Sequence, residues 1–283
     1  MKTVQSTLLA SGMKISVSRL CRWLELPRST AYYQPRESKP RPVDEAMAAR
    51  IKVIHEQEPA CGVRGTWARL RFRDGIIVNR KKIHRIMRIK GWTLPKRRAG
   101  RRPRVKNSRS VAERPNQRWA TDLALINCGK DGWCVFVPVI DCCTREILGH
   151  AVELTGRAKT AERALEEALL KRFGTLRGAP QGMLLRHDNG LVFGSRRYRA
   201  VVNDYRLKQE YITPYTPQQN GLCERFIKTF KEELCWTRRF RSIEHARLAV
   251  NSWVHEYNTR RPHQSLNYKS PTQYNREQCT QAA

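Results

Sequence analysis

Apolar positions in the first ninety residues come in short helical runs. KISVSRLCRWLELPRSTAYY, residues 14–33, reads as a helical pair. Ser16 caps a helix carrying Leu20 and Leu24, Pro27 interrupts, and Ser29 or Thr30 opens the next helix. That is the size of a helix-turn-helix, or of a plain helical hairpin. RESKPRPV, 36–43, reads as a linker. A second helical unit follows, with helices expected over 43–58, Thr66–Phe72 and Asn79–Lys90. Asn79 is the cap of the last, Ile83, Ile86 and Met87 share one side, and Lys82, Arg85 and Lys90 lie on others. WTLPKRRAGRRPRVKNSRS, 92–110, is too polar and too broken by Pro and Gly to pack, and reads as a flexible basic arm.

From about residue 115 the pattern changes to strands. NQRWATDLALI (116–126), WCVFVPVID (133–141) and EILGHAVEL (146–154) are three in succession. Pro138 inside the second implies an edge position or a bulge. Lys159–Arg172 is an amphipathic helix with Ala161, Leu165, Ala168 and Leu169 on one side. A short buried strand, Met183–Arg186, ends at His187 and Asp188. Ser195–Tyr205 reads as helix, Glu210–Thr213 as strand, and Leu222–Leu234 and Ile243–Tyr257 as two further helices. Three strands, a helix, then alternating elements make a mixed α/β domain, not a doubly wound nucleotide fold. Neither GxGxxG nor GxxxxGK[ST] occurs. The expected divisions are 1–40, 41–93, a basic linker 94–114, a core 115–236 and a helical extension 237–283.

Charge sharpens this division. The chain carries 55 Lys and Arg against 25 Asp and Glu, a net of +30 in 283 residues, which favours a polyanionic partner. Residues 1–110 hold 28 basic and 7 acidic residues, and residues 111–283 hold 27 and 18. Between Lys81 and Lys106 there are twelve basic residues and no acid. The amino-terminal third is therefore the expected grip on nucleic acid, through Lys81, Lys82, Arg85, Lys96, Arg97, Arg98, Arg101, Arg102, Arg104 and Lys106. Nine cysteines with no CxxC pair imply reduced thiols rather than disulfides or zinc, and no run of eighteen apolar residues suits a membrane. A soluble, intracellular protein is expected.

Three acids in the core stand out. Asp122 lies within a hydrophobic strand between Ala120 and Ala124, Asp188 closes a strand before the turn Asn189–Gly190, and Glu224 sits in the first turn of a helix after Asn220–Gly221. Two aspartates and a glutamate suit two divalent ions acting on a phosphodiester, since Mg²⁺ takes oxygen ligands and a pair of ions activates the attacking oxygen and stabilises the leaving one. One carboxylate would bridge the ions. Asp141, which also follows a hydrophobic strand, is a rival.

RWATDLA (118–124), VIDCCTREILGH (139–150), RHDNGLVF (186–193), TPYTPQQNGLCERFIKTFKEE (213–233) and YNTRRPHQSLNYKSPTQY (257–274) together closely resemble the catalytic region shared by retroviral integrases and bacterial insertion-sequence transposases. Residues 60–92 are similar to the DNA-binding segment of the second-frame (OrfB-type) protein of two-frame insertion sequences. Sixty-five residues separate Asp122 from Asp188 and thirty-five separate Asp188 from Glu224. The resemblance implies an RNase H-like mixed five-stranded sheet with flanking helices, preceded by small helical DNA-binding units. It implies Asp122, Asp188 and Glu224 as a catalytic, metal-holding triad, and Asp141 as a non-catalytic aspartate. Two departures stand out: His187 replaces the small polar residue common before the second aspartate, and residues 61–65 read CGVRG.

The activity implied by the resemblance is that of a DNA transposase performing metal-dependent cleavage and strand transfer. Two Mg²⁺ ions serve each site, with Mn²⁺ able to substitute. Partners are double-stranded DNA, further copies on that DNA, and an upstream-frame product fused to or acting with this chain in the bacterial cytoplasm, at the nucleoid. Lys228 and Lys231 would hold DNA phosphates, and Gln219 and Asn220 belong to an active-site loop. The alternatives are an RNase H-like nuclease without strand transfer and a non-catalytic DNA-binding regulator. Neutralising Arg97, Arg98, Arg101 and Arg102 together is expected to weaken DNA binding across all sequences and flatten its salt dependence by about one unit of slope per lost phosphate contact. An unchanged slope in a salt titration of affinity contradicts that role.

Overall fold

The computed structural model describes residues 2–33, 42–95, 112–212 and 220–282. It divides into two compact units, Met1–Val43 and Asp44–Ala283. The smaller holds α1 (Lys2–Ala10), α2 (Val17–Trp23) and α3 (Arg28–Tyr32). Ser16 caps α2 by accepting from the Arg19 amide, as its position predicts. Leu20 and Cys21 are buried, whereas Leu24 falls at the C-cap and is exposed. The third helix starts at Arg28 behind Pro27, not at Ser29 or Thr30, because a proline's fixed φ suits a helix entrance. The apolar pattern gives no sign of the first helix.

The larger unit opens with three helices. In α4 (Glu45–Gln57) Asp44 caps the start, and in α6 (Arg80–Ile89) Asn79 does, accepting from the Lys81 amide at 2.8 Å. Between them α5 (Val63–Ala68) runs into a π turn, Arg69–Arg73, three residues earlier than the apolar pattern suggested. Ile51, Ile54, Leu70, Ile83, Ile86 and Met87 form the centre of this bundle. Arg69 forks onto Glu58 inside it. The bundle is docked on the carboxy-terminal part of the chain. Phe72 stacks on Tyr268 with ring centres 4.9 Å apart, Trp67 meets the same ring edge-on at 5.3 Å, and Arg64 donates to Gln264 at 2.9 Å. Asn267 and Tyr268 both take left-handed backbone angles to present that ring, a cost the stacked contact offsets.

The sheet is mixed. Its segments are β1 (Arg118–Thr121), β2 (Ala124–Asn127), β3 (Trp133–Asp141), β4 (Ile147–Glu153), β5 (Leu184–His187) and β6 (Lys208–Tyr211). β3 lies antiparallel between β4 on one edge and β2 with β1 on the other, and β1, β5 and β6 run parallel. β1 and β2 are two halves of one strand position, so the order is β4, β3, β1/β2, β5, β6. This five-position sheet with its helices is the RNase H-like arrangement.

The single strand expected over 116–126 is broken, and the register gives the reason. Thr121 stands opposite Val139 and Ala124 opposite Phe136, which leaves Asp122 and Leu123 facing Pro138 and Val137 without a ladder partner. Proline has no N–H to give a ladder. Pro138 thus sits in an interior strand, not at an edge, and the expected irregularity appears as a register shift between Val139 and Ile140.

Both faces of the sheet are covered. Val135, Val137 and Val139 point with Trp119 and Leu185 into α7 (Ala158–Phe173) and α9 (Arg196–Asp204). Cys134, Phe136 and Ile140 point with Ala120 into α10 (Gly221–Phe230) and α11 (Ile243–Thr259). The period-2 alternation of β3 is what allots residues to the two cores. Phe136 stacks on Phe230 at 4.3 Å, and Phe226, Trp253 and Tyr257 complete an aromatic seam. The helix expected over Leu222–Leu234 changes to a π turn at Lys231–Cys235. A short α8 (Leu191–Gly194) falls outside the expected elements, whereas α12 (Pro271–Ala282) lies within the helical extension expected over 237–283.

Gly149 marks the closest approach of sheet and helix. A Cβ there would run into the Ala164 carbonyl and the Ala168 amide of α7, both backbone. Gly149→Ala is expected to lower stability by about 2–3 kcal/mol, the upper range for overpacking, as read by denaturant unfolding. A loss below about half a kcal/mol would show that α7 slides freely on β4.

Candidate active site

β1 and β5 bring two acids together before any loop is considered. Arg118 pairs with Leu184, Trp119 with Leu185 and Ala120 with Arg186. Continued two residues, that register sets Asp122 beside Asp188 at the carboxy-terminal ends of adjacent parallel strands. The register itself is held by a cluster of opposite charges. Glu210 on β6 accepts from Arg118 at 2.7 Å and from Arg186 at 2.9 Å. Burial works against the Glu210 charge, yet the two guanidinium groups hold its carboxyl below the ordinary range.

The third acid arrives on α10, which crosses β1 with Cys223, Phe226 and Phe230 facing inward. Glu224 is the next residue after buried Cys223, so it emerges at the rim and is exposed. The Cys223 thiol is pushed well up by burial and by the charges of Asp122, Cys142, Glu224 and Asp188, so the charges of all three acids reach this one side chain. Asp122 reports the same convergence. Its carboxyl is raised to about 6, first by burial and then by Asp188 and Glu224, against the opposing Leu123 amide and the Lys231 charge.

Each aspartate is also braced locally. Asp122 Oδ1 accepts from the Leu123 amide at 2.8 Å, and Asp188 Oδ1 from the Gly190 amide at 2.9 Å. Among the described residues, no three acids, histidines or cysteines close on one point tightly enough to form a ready-made cage. An oxygen-only donor set whose charges raise the Asp122 carboxyl suits hard divalent cations, which would relieve that repulsion.

Asp141, the rival acid, has a different task. It is fully buried and accepts from the amides of Asn116, Cys143 and Thr144 at 2.7, 2.7 and 3.0 Å, which closes the turn between β3 and β4. Lys228 pairs at 4.0 Å with Glu232 rather than with Glu224, an exposed contact of small value. Lys231 lies in the π turn, not on a continued helix face, and its charge reaches Asp122. Asn220 is buried, and its Oδ1 has no partner among the described residues. In the helical bundle Lys81 is exposed, Arg85 is half-buried, and Lys82 is already paired with Asp44 at 2.6 Å. Gln219, Lys96, Arg97, Arg98, Arg101, Arg102, Arg104 and Lys106 fall outside the described residues.

Sequence reasoning missed the setting of His187. The ring is fully buried against Phe193, Tyr198 and Tyr211, and both nitrogens are engaged, with Asp188 O at 2.7 Å and Gln209 Nε2 at 3.1 Å. Burial holds it below the usual histidine range, so it is neutral. Gln209 and Tyr211 are two apart on β6, and only strand pairing reveals that they share a face beside His187.

Two integrase core domain models match residues 112–217 and 205–271, and an HTH-like domain model matches residues 42–100. An uncharacterized 31.7 kDa protein of insertion element IS407 from Burkholderia multivorans is 30% identical over 267 residues, covering 93% of this chain and 91% of that one. The transposase InsD of insertion element IS2 from Escherichia coli is 28% identical, with coverage of 96% and 94%. Among solved structures, a chain of the simian T-cell lymphotropic virus intasome in complex with PP2A regulatory subunit B56 gamma has a TM-score of 0.47 at 15% identity, covering 80% of this chain and 74% of that one.

The raised Asp122 carboxyl has a stability consequence. Its folded-state value exceeds the unfolded 3.8, so the fold favours the protonated acid, and stability is lost as pH climbs from about 4 through about 6. Without divalent metal, Asp122→Asn is expected to be more stable than the parent at pH 7.5, by up to about 3 kcal/mol, and equal to it near pH 4. Thermal unfolding at the two pH values reads this directly; a pH-independent difference contradicts the origin assigned to it.

Proposed function

Because the chain belongs to the insertion-element transposases built on an integrase core behind an HTH-like domain, we propose that Asp122, Asp188 and Glu224 form the catalytic triad with which it cleaves and joins DNA strands at the ends of its element. The strand register that sets Asp122 beside Asp188, with the charge of helix-borne Glu224 reaching the same Asp122 carboxyl, supports this reading. Integrase cores are metal-dependent, and the triad residues would hold the divalent ions, two Mg²⁺ or Mn²⁺. Bound there, such ions supply neutralisation of phosphoryl charge and activation of the attacking oxygen.

The chain's own residues supply direction. Asp122 and Asp188 are fixed by strand register and by the amides of Leu123 and Gly190. Glu224 stands on a helix anchored by the Phe226 and Phe230 rings, so its line of approach is set by the core. Lys231 offers a fixed positive charge beside Asp122 and would hold the scissile strand's phosphate, with Lys228 further along. In the HTH-like domain, Lys81 and Arg85 on α6 would grip DNA in its groove, with the basic residues from Lys96 to Lys106 on the adjoining backbone. An oligomer on DNA, working with the upstream-frame product, would bring two element ends to one target.

Asp122→Asn, Asp188→Asn and Glu224→Gln are each expected to reduce strand transfer at least about a thousandfold while leaving DNA affinity within about twofold. The assay uses a pre-nicked donor with a free 3′-hydroxyl, carrying the element's terminal repeats, with the upstream-frame product present. Joined product identifies a transposase and hydrolysis alone a nuclease. Retained joining by any one of the three variants removes that residue from the triad.

A further inference from the structure

The turn that carries Asp188 is held by a chain of hydrogen bonds. Tyr211 Oη donates to Gln209 Oε1 at 3.2 Å. Gln209 Nε2 directs its two hydrogens to the Phe193 carbonyl at 3.0 Å and to His187 Nε2 at 3.1 Å. His187 Nε2 is therefore the acceptor, and the proton of the neutral ring sits on Nδ1, which donates to the Asp188 carbonyl at 2.7 Å. Reversing the Gln209 amide would set its oxygen against the Phe193 carbonyl, so the tautomer has one solution. The ring has no room to turn: Phe193 stacks on it at 4.8 Å and the Tyr211 ring closes on its face at 4.6 Å. The chain links β5, β6 and α8, the three elements around Asp188.

We propose that His187 is a positioning residue for Asp188. It is a tautomer-locked imidazole that pins the Asp188 carbonyl, and through that peptide the direction of the carboxylate. The peptide after Asp188 leads into the Gly190 amide that braces its Oδ1, and Asn189 is tied to the Ile212 carbonyl at 3.1 Å, so fixing the carbonyl fixes the whole turn. A serine or threonine there would be too short to reach β6, whereas histidine spans both partners. The inference rests on Asp188 being a metal ligand.

The test is Mn²⁺ affinity of the full chain, by calorimetry, together with kcat and KM for strand transfer. His187→Phe keeps an aromatic ring in the stack and loses the donor. It is expected to weaken Mn²⁺ binding and lower kcat by roughly tenfold to a hundredfold, with KM for DNA and the unfolding midpoint little changed. His187→Asn returns an amide nitrogen to the Nδ1 position and is expected to recover most of both. Gln209→Leu leaves the ring in place but unlocks its tautomer, and is expected to show the same loss in weaker form. Parent-like Mn²⁺ affinity in both His187→Phe and Gln209→Leu overturns the proposal. So does a folded His187→Asn no better than His187→Phe. Parent-like Mn²⁺ affinity in Asp188→Asn would instead overturn the reading of Asp188 on which this one stands.

Discussion

Arg118 and Arg186 reach the same glutamate, Glu210, from two strands that must run parallel and in one register for both to succeed. A slip of one residue would turn one guanidinium to the opposite face and leave a half-buried charge unpaired, which costs several kcal/mol. That constraint fixes where β1 and β5 end relative to each other, and hence where Asp122 and Asp188 stand. Parallel strands lack a hairpin to set their alignment, so a polar clamp across β1, β5 and β6 takes that role. It also explains why two arginines are buried beneath a site of negative charge: they answer to Glu210 first.

Above the clamp the site is built from mismatched demands. Pro138 denies β1 its ladder and releases Asp122 from the sheet, while the Trp119 and Ala120 side chains hold the strand on both cores up to the break. Cys223 is buried within reach of all three acids' charges, and α10 is pinned to the core by the Phe226 and Phe230 rings on the same inward face. The charges of Asp188 and Glu224 raise the half-buried Asp122 carboxyl, a repulsion that a bound cation would relieve.

Much of this was legible in the chain because it rests on local signals. Asn79 and Ser16 cap the helices they precede, the alternation in 133–141 gives a strand buried on both faces, and strand-end and helix-start positions single out Asp188 and Glu224. The resemblance of the surrounding motifs favours Asp122 over Asp141, and the amides on Asp141 give that buried acid a structural task of its own. Less legible were features that depend on pairing. The break at Asp122 comes from what stands opposite it, at Pro138 on another strand. The Gln209 chain depends on β6 lying beside β5. The π turns at Arg69 and Lys231 leave the helical periodicity nearly intact, so no apolar pattern distinguishes them from α-helix.

Phe72 lies flat on Tyr268, and Arg64 reaches Gln264, so the helical bundle and the sheet domain meet through stacked rings and a directed bond rather than through chain connectivity alone. If α6 grips duplex DNA and Asp122 acts on it as proposed, a bundle seated this way would make the protein a ruler between the two. Duplex DNA held at one end of it would present only the bond that lies at the right turn of the helix, and one added base pair would rotate the next bond by roughly 35° out of reach. The choice of where to cut would then be made by rigid geometry, with the bases at the cut itself free to vary.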